Sequence, residues 1–170
     1  MSESNFERGT KAEARIAKAL KALYEHEENA GLVYELKEDN GRNPDLLLND
    51  SSLGVDYQIE CKSCTYPIRE NKSARAGYAK LPANQVWKMV ELHNSSEYSI
   101  SVLMVEIRSA GGQGKTIMVV PWQRVIDKWN EKEPEMMSLG HWWILNNGVP
   151  LEIWWTALRN EPLFKNRIED

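Results

Sequence analysis

Apolar and polar residues recur with two different periods along the first half of the chain, and these periods predict its secondary structure. Residues 6–25 repeat with a period near 3.6, which predicts an amphipathic helix. Residues 32–37 read as a first strand, and residues 44–48 and 55–62 as two further strands joined by a short turn. Apolar and polar side chains alternate over 55–62, which is typical of a strand with one buried face.

The second half of the core continues this alternation of helices and strands. We expect a helix over residues 84–93, buried strands over 100–107 and 116–120, and a short helix over 121–132. The glycine-rich residues 111–114 join strand to strand, so they lack the helix N-terminus that a phosphate-binding loop needs. The order of elements predicts an α/β fold with a mixed central sheet flanked by helices.

The composition changes after residue 133. Residues 134–170 contain Trp142, Trp143, Trp154 and Trp155, four of the seven tryptophans. Adjacent tryptophans on a strand cannot both point into one core, so one of each pair is expected to face another surface, such as a second subunit. The alternative is an extra β-hairpin packed on the sheet. We therefore divide the chain into a core, 1–133, and a Trp-rich C-terminal extension, 134–170.

Length, charge and cysteine content narrow the class of protein. The 170 residues and net charge of −4 predict one globular domain that does not coat nucleic acid indiscriminately. No apolar run approaches the roughly 18 residues of a membrane span, and the N-terminus lacks a secretory pattern, so we expect a cytoplasmic protein that binds no membrane. Cys61 and Cys64 have no second ligand pair for zinc. No pattern indicates an organic cofactor.

Candidate chemistry lies on the two adjacent strands. Alternation puts Glu60 and Lys62 on one face, and Asp45 opens the neighbouring strand. Two carboxylates can hold a hard divalent cation, which lowers the pKa of bound water, and an ammonium beside them can position that water or stabilise negative charge. The set predicts hydrolysis of phosphodiesters. The alternative is that Glu60 and Lys62 form a solvated ion pair.

With these residues the chain resembles the PD-(D/E)xK nuclease superfamily, whose motif is matched by Pro44-Asp45 and Glu60-Cys61-Lys62. The resemblance implies a restriction-endonuclease-like fold, Mg²⁺ as cofactor with Mn²⁺ able to substitute, and DNA as substrate. It assigns Asp45 and Glu60 as metal ligands and Lys62 as a catalytic residue.

Within the superfamily the chain is most similar to archaeal-type Holliday-junction resolvases. That family carries Gly, three residues and Glu on its first helix, matched here by Gly9 and Glu13, although Ala14 stands where the resolvases usually have Arg. A later helix, begun near a polar residue such as Gln85, is also matched. The resemblance implies a homodimer that cuts branched DNA.

Glu13 is the candidate auxiliary carboxylate. It lies at the margin of the apolar stripe of the first helix, whereas Glu7 lies on the solvated side. A carboxylate near an apolar face needs a partner, and a cluster of side chains around a bound metal would supply one directly or through water. Glu13 is therefore added to the catalytic and metal-binding residues. The alternative is that its side chain extends to solvent.

Basic and aromatic residues follow the active strand. Between residues 62 and 80 five cations accompany one acid, and such a segment could grip the DNA backbone while a tyrosine packs on a sugar or an unstacked base. Gln85 lies on the helix face that could reach the site, although a surface amide is an alternative. The candidate DNA-binding residues are Tyr66, Arg69, Lys72, Arg75, Tyr78, Lys80 and Gln85.

Together these observations predict a metal-dependent, structure-selective DNA endonuclease that attacks the phosphodiester with an activated water. A restriction-type or general DNA-repair nuclease is the near alternative. A catalytically inactive nuclease-fold module that only binds DNA, and a protein-interaction domain built on the Trp-rich extension, are the alternatives from other classes.

Overall fold

The computed structural model describes residues 5–26, 29, 31–38, 44–66, 77–109, 115–159 and 161–169. Within these ranges the helices are α1 (Asn5–Glu25), α2 (Ala83–Asn94), α3 (Trp122–Asn130), α4 (His141–Asn147), α5 (Leu151–Ile153), which continues as a π-helical turn (Trp154–Leu158), and α6 (Pro162–Lys165). The strands are β1 (Tyr34–Glu38), β2 (Leu46–Asp50), β3 (Val55–Tyr66), β4 (Ala79–Pro82), β5 (Ser99–Ser109), β6 (Lys115–Pro121), β7 (Met136–Leu139) and β8 (Val149–Pro150).

Six strands form a central sheet in the order β1, β2, β3, β5, β6, β8, and β4 pairs with β7 in a separate sheet. β3 and β5 are parallel, whereas the other neighbours in the central sheet are antiparallel. Parallel neighbours require a crossover connection, and β4 and α2 lie on that connection. The predicted α/β fold with a mixed central sheet flanked by helices is confirmed.

Separate hydrophobic cores lie on the two faces of the sheet. On one face Ile16 and Leu20 of α1 pack with Val55, Tyr57, Ile59 and Cys61 of β3, as the amphipathic pattern predicted. On the other face Val86 of α2 and Val125 of α3 pack with Leu103, Val105 and Ile107 of β5. β5 is therefore buried on both sides, which explains its continuous apolar run. No helix among the described residues is long and apolar enough to cross a membrane.

β3 is longer than the sequence pattern predicted. It was expected to end at Lys62, but it continues to Tyr66 and pairs with β5 as far as Ser109. Thr65 also exchanges two backbone hydrogen bonds with Gly77, of 3.0 and 2.9 Å. The side chains beyond Lys62 are mostly polar and did not indicate a strand. The extension forms through backbone pairing with β5, which does not depend on those side chains. Residues 67–76, the middle of the predicted basic loop, lie outside the described residues.

The C-terminal extension packs on the core. β7 pairs with β4, and β8 pairs with β6 at the edge of the central sheet, so the segment is not a single extra β-hairpin. The prediction that one member of each tryptophan pair faces away is wrong for Trp154 and Trp155, whose exposed fractions are 0% and 6%. These residues are helical, and side chains one residue apart on a helix can enter the same core. In α4, by contrast, Trp143 packs on the core and Trp142 is 69% exposed.

Candidate active site

The register of β2 and β3 places Asp45 opposite Glu60. Leu46 of β2 pairs with Ile59 of β3, and Asp45 is the residue before Leu46, so continuing the antiparallel register sets it against Glu60. Directly opposed side chains on antiparallel strands have Cβ atoms about 4.5–5.5 Å apart. A slip of one residue would turn Glu60 to the other face of the sheet. The site therefore depends on the turn that joins these strands.

That turn is held by Asp50, which is fully buried. Its Oδ1 accepts a hydrogen bond from the Leu53 N–H at 3.0 Å, and its Oδ2 accepts one from the Tyr24 hydroxyl at 2.5 Å. Arg159 Nη1 lies 3.4 Å from the same Oδ2. Gly54 closes the turn with a φ of 67°, a left-handed conformation that glycine adopts without steric cost. Contacts from the first helix and the C-terminal extension thus stabilise the register.

The Asp45 and Glu60 carboxyl groups lie close enough to share a proton. The pKa of Glu60 is raised to about 7, mainly by burial; Lys62 opposes the rise and the neighbouring Asp45 adds to it. Burial also raises the pKa of Asp45, against the lowering effect of the Cys61 N–H and of Lys62. The Cys61 N–H donates to Asp45 Oδ2 at 2.8 Å. Glu60 is 1% exposed, so a second negative charge beside it is costly.

Lys62 supplies the positive charge of the site. Its Nζ lies 3.2 Å from Glu60 Oε1 and donates a hydrogen bond to Gln85 Oε1 at 3.2 Å. Glu60 and Lys62 occupy alternate positions on β3, and Gln85 reaches them from the first turn of α2. Gln85 therefore points into the site rather than lying on the surface as a free amide. Two acceptors hold the ammonium in one place.

The carboxylate pair fits a hard divalent cation. Glu60 Oε2 is buried without a hydrogen-bond partner, and a carboxylate oxygen in that position is stabilised by a positive charge. Among the described residues no group of three or more His, Cys, Asp or Glu side chains converges, and Asp45 and Glu60 are the candidate donors. Mg²⁺ is commonly held by one or two carboxylates together with water and substrate phosphate.

Glu13 lies near the same strand from the α1 side. The Cys61 thiol has its pKa raised well above the usual value by burial, and the negative charges of Asp45, Glu60 and Glu13 all add to the effect. Cys61 belongs to the core that α1 covers. Glu13 therefore acts electrostatically on Cys61, whose side chain faces α1, whereas Glu60 and Lys62 lie on the face that α2 covers.

The predicted DNA-binding residues fall into separate groups. Gln85 is in the site. Tyr66 ends β3 half-buried, while Tyr78 and Lys80 lie exposed beside and within β4. Arg69, Lys72 and Arg75 lie outside the described residues.

A second charged cluster was missed by sequence reasoning. Glu106 of β5, 1% exposed, contacts Arg15 of α1 with an Nε to Oε2 distance of 2.6 Å. Arg108 Nε lies 3.6 Å from Glu106 Oε1. The register pairs Glu106 with Ser63 of β3, so the cluster lies one residue beyond Lys62 along this strand, on the α1 face. Its signal was present, because a lone carboxylate in a buried apolar strand requires a cationic partner.

Comparison of the chain with models of known protein families and with curated proteins finds no match.

Proposed function

We propose that this protein is a divalent-metal-dependent DNA endonuclease with a restriction-endonuclease-like fold. The observation that carries the proposal is the meeting of the Asp45 and Glu60 carboxyl groups across β2 and β3, with Lys62 Nζ 3.2 Å from Glu60. The motif resemblance and the mixed sheet flanked by helices support the same activity.

Asp45 and Glu60 would hold Mg²⁺, for which Mn²⁺ can substitute, and Glu13 would act as the auxiliary carboxylate. The bound cation would neutralise charge on the scissile phosphate and lower the pKa of a coordinated water. The Cys61 N–H orients Asp45 toward this role. A divalent cation would bind the ionised carboxylates, so the proton shared by Asp45 and Glu60 would have to leave first.

Lys62 would position the attacking water and stabilise the negative charge that develops on the phosphate oxygens. Gln85 holds the Lys62 ammonium on the Glu60 side. The water oxygen forms a bond to phosphorus while the bond to the leaving oxygen breaks, and that oxygen takes a proton. Hydrolysis is therefore direct and leaves no covalent intermediate on the protein.

The resolvase resemblance favours a homodimer that acts on branched DNA, and a restriction-type or general DNA-repair nuclease is the second candidate. Both use the same trio of residues. The substrate separates them, because a junction-selective enzyme cuts four-way junctions in preference to linear duplex.

Cleavage of labelled four-way junction, duplex, flap and single-stranded DNA with Mg²⁺ or Mn²⁺ tests the proposal. We expect Lys62→Ala to abolish cutting while the fold and cation binding persist. Lys88→Ala is the matched control, because Lys88 lies exposed on α2 and pairs with Glu91. Wild-type cutting by Lys62→Ala would refute the role of Lys62. DNA binding without cutting under either ion would instead identify an inactive nuclease-fold module.

A further inference from the structure

Aromatic rings from three parts of the chain gather beyond the end of the active strand. The His141 ring lies 5.4 Å from the Tyr66 ring and 4.9 Å from the Trp142 ring, centroid to centroid. A Cβ on Gly140 would come within 3.1 Å of the Tyr78 ring, so this fourth ring lies over the backbone beside His141. We name Tyr66, Tyr78, His141 and Trp142 the aromatic platform.

The aromatic platform is open to solvent. Trp142 is 69% exposed and Tyr78 is 53% exposed. The other three tryptophans of the extension are buried or packed against a core, as Trp143 is beside Trp142. Core packing therefore does not explain the position of Trp142, which presents a large apolar ring to water.

The aromatic platform lies on the same face of the sheet as the carboxylate pair. Tyr66 is four residues after Lys62 on β3, and side chains separated by an even number of residues share a face. At about 3.3 Å per residue the two Cα atoms are about 13 Å apart. That separation corresponds to about four stacked bases of one DNA strand. A strand whose phosphate lies at Glu60 and Lys62 would reach the platform within a few nucleotides.

Exposed rings at this distance suit unpaired bases. Bases in a duplex are stacked on each other, whereas the base of a single-stranded nucleotide has a free face that can stack on an aromatic side chain. Such stacking tolerates any sequence, because every base has a π-face. Lys80, two residues after Tyr78 on the exposed side of β4, offers a charge for the phosphate.

Resting on the proposed function, we infer that the aromatic platform binds unpaired nucleotides next to the scissile phosphate. The substrate class is then DNA with a single-stranded arm at a branch, such as a splayed arm or a flap. A second copy of the chain is the competing occupant, because Leu145, one turn beyond Trp142 on α4, is also exposed. Continuity with the carboxylate site favours DNA.

Binding without a divalent cation tests this inference independently of cutting. Fluorescence polarisation compares a splayed-arm DNA, with unpaired arms of about 12 nucleotides, with a blunt duplex and a fully paired four-way junction. We expect Trp142→Ala to weaken splayed-arm binding between about fivefold and a hundredfold and to leave duplex binding unchanged. Trp142→Phe should retain most of the affinity. Tyr98→Ala is the control, since Tyr98 is a 57% exposed aromatic at the opposite end of the sheet.

Unchanged splayed-arm binding by Trp142→Ala, or an equal loss for splayed-arm and duplex DNA, would overturn the inference. So would light scattering that shows Trp142→Ala converting a dimer to a monomer with its DNA affinity intact. If the protein cuts DNA but its splayed-arm affinity does not depend on Trp142, the inference is wrong and the proposed endonuclease activity stands. If binding depends on Trp142 but the protein cuts no DNA, the inference about the aromatic platform stands and the proposed endonuclease activity is wrong.

Discussion

Asp45 and Glu60 face each other across the antiparallel pair of β2 and β3, and their carboxyl groups are in contact while Glu60 is 1% exposed. Two carboxylates so placed cannot both ionise without a cost, which Lys62 offsets only in part. Their nearness therefore favours a proton on the pair, and a divalent cation would relieve the same repulsion in the proposed function.

The first prediction concerns cation affinity. We expect Asp45→Asn to weaken Mn²⁺ binding at least about tenfold, because it removes one of two charged ligands. Isothermal titration calorimetry measures the change. Asp127→Asn serves as the control, since Asp127 lies exposed on α3 and accepts a hydrogen bond from Gln123. Equal affinities for wild type and Asp45→Asn would count against the assignment.

The second prediction concerns pH and stability. Burial raises the pKa of Glu60 from 4.5 to about 7, so between these values the folded protein holds a proton that the unfolded chain releases. The free energy of unfolding of the cation-free protein should therefore fall as pH rises from 4.5 to 7. Glu60→Gln should remove this slope, which amounts to at most about 3 kcal/mol. Urea denaturation at about pH 5 and about pH 8 measures it; an identical slope in the variant would contradict the assignment.

The third prediction concerns the positioning of Lys62. Gln85→Leu removes the amide oxygen that accepts from Lys62 Nζ, and hydrogen bonds to charged groups contribute about 1.5–3 kcal/mol. We expect kcat for DNA cleavage to fall about tenfold or more with KM nearly unchanged. Gln85→Glu keeps an acceptor and should recover part of the rate. A change confined to KM would show that Gln85 binds substrate and does not position Lys62.

The fourth prediction concerns the cluster on the α1 face. Glu106→Ala leaves Arg15 and Arg108 without their buried counter-charge, and the loss of one partner of a buried pair costs about 3–5 kcal/mol. Thermal and urea unfolding should show this loss, with a smaller one for Glu106→Gln. Glu91→Ala, an exposed partner of Lys88 on α2, should melt as the wild type does. Wild-type stability of Glu106→Ala would show that the cluster is not structural.

Local patterns predicted most of the elements of the core. The helices α1 and α2 and the strands β5 and β6 lie within a few residues of their expected ends, because apolar periodicity reports which side of an element is buried. The same logic placed Glu60 and Lys62 on one face of β3. It also singled out Gln85, whose contact with Lys62 depends on α2 crossing that face.

Patterns failed where the backbone or a distant segment decided the outcome. The extension of β3 to Tyr66 comes from pairing with β5, and Trp155 is buried because it is helical and its ring contacts Tyr24 of α1. The contact between Arg15 and Glu106 joins residues 91 positions apart. None of these partners is near in sequence, so no local window contains both.

The sequence alone determined most helices and strands of the core, their buried faces and the candidate residues of the site, since side-chain periodicity is a local property. Tertiary structure decided that the β2–β3 register sets Asp45 against Glu60. It also decided that β3 extends to Tyr66, which lies beside His141 of α4 in the aromatic platform. These relationships depend on tertiary structure because strand register and helix docking arise from pairing and packing between segments that are far apart in the chain.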